Sequence, residues 1–164
     1  MSSRSGGLDP RRDCVAIARE LGTIAFPWDM TRSLELALFR TFASPRIGGL
    51  LHRTGEFESR TQKRYDDTDL IVSEIVSNGV DSERGRRAIA RMNALHGRFT
   101  IPNEDFLYLL STFVFESIRW NARFGWRRLT ETEKLGSFWP VLRTKLARVD
   151  YPRGYEIESL GPPA

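Results

Sequence analysis

At 164 residues, with 40% hydrophobic and 28% charged positions, the chain has the material for one closed hydrophobic core, which excludes a wholly disordered polypeptide and leaves no need for a second domain. A net charge of +4 would suit a nucleic-acid partner, but acidic residues interleave with the arginines almost everywhere, so none is expected. The single cysteine, Cys14, excludes an internal disulfide and a Cys-based metal site. It makes a reducing, cytoplasmic compartment the expectation, and no apolar run approaches the roughly 18 residues of a membrane span.

Helix signals follow one another closely and strand alternation is scarce, so the expected class is all-α. Residues 1–8 read as a leader without the apolar core of a secretion signal. Residues 9–146 read as one helical domain and residues 147–164 as a divergent tail. Asp9-Pro10 predicts an N-cap with proline at the first helical position, leading to a stop at Gly22. A second helix begins near Pro27 and ends before Pro45, and Ile47-Gly48-Gly49-Leu50-Leu51 reads as a short loop.

The next helix is expected from about Glu58 to Ser77, stopped by Asn78-Gly79. At helical spacing Tyr65, Ile71, Val72, Ile75 and Val76 share one face, with Arg64 and Thr68 in its middle and Asp67 at its flank. Asp81 or Ser82 caps a fourth helix that carries Glu83 in its first turn. There Ile89, Met92, His96 and Phe99 align on one side, opposite a stripe of Arg84, Arg87, Arg91 and Arg98. Asn103 opens a helix whose apolar residues, Phe106 to Phe115, surround most of its circumference and predict a central position. Thr130-Glu131-Thr132-Glu133 is a capping box, and Pro140 is expected to kink or end the helix it opens.

Arg64 is the oddity, because a guanidinium on an apolar face is costly unless an anion neutralises it. It has two kinds of candidate partner: a structural carboxylate such as Glu35 or Glu116, and a carboxylate of a bound cofactor. Thr68, one turn on, either donates into the same cavity or bonds back to its own helix. His96 is either a hydrogen-bonded core histidine or a metal ligand, and Gly97 leaves room for a flat macrocycle beside it. His52 reads as a surface or loop residue. There is no HExxH, no paired cysteines, no G-x-S-x-G and no phosphate-binding glycine fingerprint.

Several runs in combination resemble the mpaB-type oxygenase family, whose catalytic domain is shared with bacterial rubber oxygenases. They include Phe26-Pro27-Trp28-Asp29, Thr54-Gly55-Glu56-Phe57, Arg60-Thr61-Gln62-Lys63-Arg64-Tyr65-Asp66-Asp67-Thr68, Leu95-His96-Gly97-Arg98 and Pro102-Asn103-Glu104-Asp105-Phe106. The resemblance covers about Phe26 to Trp139. It implies an all-helical, globin-reminiscent bundle and the oxygen-dependent cleavage or oxygenation of an apolar, isoprenoid-like substrate. It also implies a b-type haem whose iron is held by His96, with Arg64 and Thr68 carried over from the family's distal Arg-x-x-Lys-Thr motif. Asp67 stands at that motif's lysine position, so no distal lysine is inherited. The altered, shortened end after Pro140 reads as a truncated member, and peripheral membrane contact is compatible with an apolar substrate. The competing expectation, from another functional class, is a non-catalytic interaction module or inactive family member working through the arginine stripe.

Overall fold

The computed structural model describes residues 7–143, and these are all-α with no strand among them. The helices are α1 (Cys14–Glu20), α2 (Pro27–Thr41), α3 (Pro45–Thr54), α4 (Glu56–Ser59), α5 (Thr61–Asn78), α6 (Glu83–His96), α7 (Asn103–Phe124) and α8 (Glu131–Arg143). A π-helical turn, Leu21–Ala25, links α1 to α2. The expected divergent tail, residues 147–164, lies outside the described residues, as does most of the leader. Leu8 is described, and it packs against the core.

Ile17, Leu21, Phe26 and Leu129 form the core cluster, each side chain contributing about 1.5–3 kcal/mol through removal from water. α2 and α7 make the most extensive helix pair. Their contact is lined by small and polar residues: Ser33, Ala37 and Thr41 of α2, and Thr112, Glu116 and Ser117 of α7, are all buried. Ser33 Oγ donates to Ser117 Oγ at 3.2 Å. Small side chains permit this close approach, so the bulky residues of α7 are turned elsewhere. Phe115 is 49% exposed, and α7 is therefore not apolar and buried around its circumference as its composition suggested.

Four other expectations change. Asp9 accepts from the backbone N–H groups of Arg11 and Arg12, so it organises a turn, and α1 starts later, at Cys14. Gly22 does not stop the chain but lies in the π-helical turn, where Phe26 N–H reaches Leu21 O at 2.9 Å. Residues 47–51 are helical because Pro45, read as a terminator, occupies the first turn of α3, where its fixed φ and missing N–H are favourable. The helix expected from Glu58 is broken at Arg60, which is non-helical (φ −142°, ψ 47°). Beyond these, α8 runs through Pro140 to Arg143, with Trp139 and Pro140 both buried.

The capping box is present as expected: Thr130 N–H donates to Glu133 Oε2 at 2.8 Å and Glu133 N–H to Thr130 Oγ1 at 3.2 Å. No helix among the described residues is long and apolar enough to cross a membrane.

Candidate functional site

The turn between α5 and α6 sets the site. Gly79 has φ 79°, and a β-carbon on Gly85 would stand 1.9 Å from the Gly79 carbonyl oxygen. Only glycine at both positions allows so close a fold-back. Ser82 Oγ accepts from Gly85 N–H at 2.9 Å and starts α6, as its sequence signal indicated. α6 then packs along α5, which brings His96, the last residue of α6, under the electrostatic influence of Arg64 near the start of α5.

His96 is largely buried, and its Nδ1 has no hydrogen-bond partner among the described residues. The edge of its ring contacts Phe106 of α7, with centroids 5.5 Å apart. Burial, reinforced by the Arg64 charge, holds its pKa below the ordinary 6.5, so the imidazole is neutral at pH 7 and keeps a lone pair on one nitrogen. A neutral imidazole with a buried, unpartnered nitrogen has the chemistry of a metal ligand.

Arg64 is half-buried, and burial lowers its pKa. It forms no ion pair with Glu35 or Glu116, the carboxylates considered from sequence. Glu35 accepts from Arg32 and from Tyr65 Oη, and Glu116 accepts from Arg40 and Arg119. The Arg64 guanidinium lies over the Phe57 ring at 5.2 Å, and its Nη1 donates to Thr68 Oγ1. That hydroxyl in turn donates to the Arg64 carbonyl at 3.0 Å. Thr68 thus bonds back to its own helix and also fixes the guanidinium.

Asp67 points away, paired with Lys63 at 2.5 Å on the exposed face, and that ammonium holds its carboxyl below the usual range. Gly97 is exposed and α-helical in conformation; a β-carbon there would approach only the Asn93 and Ala94 carbonyls. His52 lies on α3, exposed and bonded to Glu58 at 2.5 Å.

A cavity of about 180 Å³ opens between α1, α2, α5 and α7, with Met30, Leu34, Leu38, Val72 and Phe113 on its apolar side. Thr68 also lines it, while Arg64 and His96 do not. Thr68 therefore joins the cavity to the His96–Arg64 face. Sequence reasoning did not single out Phe57, and the Tyr65–Glu35–Arg32 network at the cavity was invisible to it. Phe57 sits on the short helix α4, whose separation from α5 the apolar pattern did not signal.

Among the described residues no group of three or more His, Cys, Asp or Glu side chains is placed to hold a metal ion. A metal on His96 would take its remaining ligands from a bound cofactor. A lone imidazole with a free nitrogen, beside a half-buried cation with no direct ion pair among the described residues, fits a haem iron and a haem propionate in its donor chemistry. The arginine stripe on α6 is partly neutralised: Arg84 is bonded to Glu74 at 2.5 Å and Arg87 lies 3.6 Å from Glu83.

With this geometry in view, the chain is similar to two proteins of Penicillium brevicompactum named ER-bound oxygenase mpaB and mpaB', each 35% identical over 138 residues that cover 79% of this chain. It is also similar to an ER-bound oxygenase mpaB of Penicillium roqueforti, 34% identical over 138 residues. The chain belongs to the mpaB-type oxygenase family. It spans 35%, 33% and 46% of the lengths of those three mpaB-type relatives, respectively. No family profile matches it, and no solved structure does.

Proposed function

We propose that this helical unit is the haem-binding part of an oxygenase acting on an apolar, isoprenoid-like substrate with dioxygen. The observation that carries this is the buried His96 Nδ1 without a partner among the described residues, set beside Arg64, a half-buried cation that Asp67 and Glu56 influence from a distance but that forms no direct ion pair among the described residues. The oxygenase names of the mpaB-type relatives support the class of reaction.

His96 would hold the iron and Arg64 a propionate or a polar distal group. The haem iron, when bound, supplies the reaction with dioxygen. The chain's own contribution is orientation and exclusion of water. Phe106 braces the imidazole from the edge, Thr68 fixes the guanidinium, and the Phe113–Leu34–Leu38–Val72 wall takes the apolar part of the substrate. No distal lysine is part of this reading: Asp67 stands at that position and is paired with Lys63 on the outer face.

The test is an absorption spectrum of the purified protein after haem reconstitution. The parent is expected to show a Soret band, and His96→Ala to lose it while keeping its helical circular dichroism. Retention of the band in His96→Ala overturns the assignment of the ligand; absence of a band in the parent overturns the haem.

A further inference from the structure

At one end of the molecule, away from the residues used above, aromatic rings gather on the surface. Trp28, at the start of α2, is 63% exposed, Phe124, at the end of α7, 56%, and Trp126, in the following loop, 61%. Inner rings back them in two groups. Trp120 contacts Trp28 at 5.9 Å and Phe124 at 4.7 Å, and Phe26 stacks with Trp126 at 5.7 Å.

Two indole N–H groups hold the assembly in place, Trp120 Nε1 donating to Asp29 Oδ1 and Trp126 Nε1 to the Ala25 carbonyl, both at 3.0 Å. The rings are thus fixed outward by hydrogen bonds. They do not collapse onto the core, even though each leaves apolar area in water.

The charges around them are of both signs, but two of the arginines lack a carboxylate partner among the described residues. Arg123 lies over Phe124 at 5.1 Å, and Arg127 lies over Trp126 at 5.1 Å. Arg127 is neutralised by Glu133, and Glu20 is the other carboxylate that acts on it. Asp29 is occupied by the Trp120 indole. Arg123 and Arg128 have no carboxylate within ion-pair distance among the described residues. The cavity beside Thr68 is lined by none of Trp28, Phe124 and Trp126, so these rings stand apart from it.

From this juxtaposition we infer that the Trp28–Phe124–Trp126 end is a docking surface for an anionic lipid bilayer. Tryptophan favours the headgroup region, where its amphipathic ring has both apolar and polar neighbours. The free guanidinium groups of Arg123 and Arg128 are placed to meet lipid phosphates as the rings enter the interface, and each arginine adds roughly five-fold to binding at an anionic surface. Contact through this surface is peripheral and reversible, since the insertion is a few rings deep and no helix among the described residues is long and apolar enough to span. A surface of this kind would present the helical unit to substrates dissolved in the bilayer, but its existence does not depend on haem or on catalysis.

The experiment uses the full chain, without added cofactor, and vesicles of phosphatidylcholine with or without phosphatidylserine. Co-flotation with the phosphatidylserine vesicles is expected, with a blue shift in tryptophan emission and weakening as salt is raised. Trp28→Ser combined with Phe124→Ser is expected to lower partitioning about ten-fold or more by removing the inserted area. Arg123→Glu combined with Arg128→Glu, which leaves every ring in place, is expected to lower it about 25-fold or more on the charged vesicles. Failure of the parent to float, or equal flotation of the parent and the folded charge variant, overturns the inference. So does a concentration-dependent dimer that both double variants abolish, which would make the surface a contact between copies of this chain.

Discussion

The α2–α7 pair and the α5–α6 face both carry polar groups away from water, yet they treat them differently. Along α7, Glu116 accepts from two arginines, Ser117 from Ser33, and Asn121 donates to the Ser117 carbonyl; Asn121 Oδ1 and, on α2, Arg32 Nε are left without a partner among the described residues. At the head of α8, Glu133 takes both terminal nitrogens of Arg127 at 2.7 Å and a backbone N–H as well. On the α5–α6 face, among the described residues, Arg64 has no direct ion pair, only the more distant charges of Asp67 and Glu56, and His96 Nδ1 has no partner. Buried polarity answered within the fold contributes to stability, whereas on the α5–α6 face, under the function proposed above, the open nitrogen and the cation beside it are left for a bound group.

The sharpest way to break that contrast is to remove a group from each side. Glu133→Ala deletes a buried bidentate acceptor and half of the capping box, and is expected to lower the unfolding free energy by about 3 kcal/mol in a urea titration. Ser33→Leu drives a bulky side chain into the close α2–α7 contact, with an expected loss of about 1–3 kcal/mol in the same titration. Arg64→Met, which removes a half-buried charge with no ion pair to lose, should change stability by less than about 1 kcal/mol in either direction. A loss as large as that of Glu133→Ala would place Arg64 among the structural groups.

A subtler effect is pH dependence. Because the folded pKa of His96 lies below its ordinary 6.5, its stabilising contribution is complete above about pH 6.5 and is lost as pH falls toward the folded value, where the unfolded chain binds the proton more readily. Thermal melts between neutral and mildly acidic pH should show this loss in the parent. His96→Phe, which has no titrating group at the position, should lack that component.

Features decided locally could be read from sequence. The capping box Thr130–Glu133 and the Ser82 cap need only neighbours three residues apart, and the inward placement of Arg64 and His96 follows from helical spacing. Features decided by tertiary packing could not. Pro45 carries the same residue identity whether it ends one helix or begins the next. The break at Arg60 lies within a run whose apolar pattern continues across it. Which side of α7 meets α2 was hidden because small polar residues, Ser117 and Thr112, won the buried positions over Phe115. Of the site, the ligand candidates were legible, while the lack of a direct ion pair for Arg64 became visible only when Glu35 and Glu116 were found bound elsewhere.

The wide turn at Leu21–Ala25 bears on how chain length can vary in this fold. A π-helical turn holds one residue more than the α-helical turn it replaces, so deleting Thr23, which is exposed, should restore ordinary winding while Leu21 and Phe26 keep their places in the core. An insertion or deletion is normally disruptive inside a helix. Here the fold has a built-in slot where a single-residue change in length is absorbed without shifting the register of α2 or the helices packed on it.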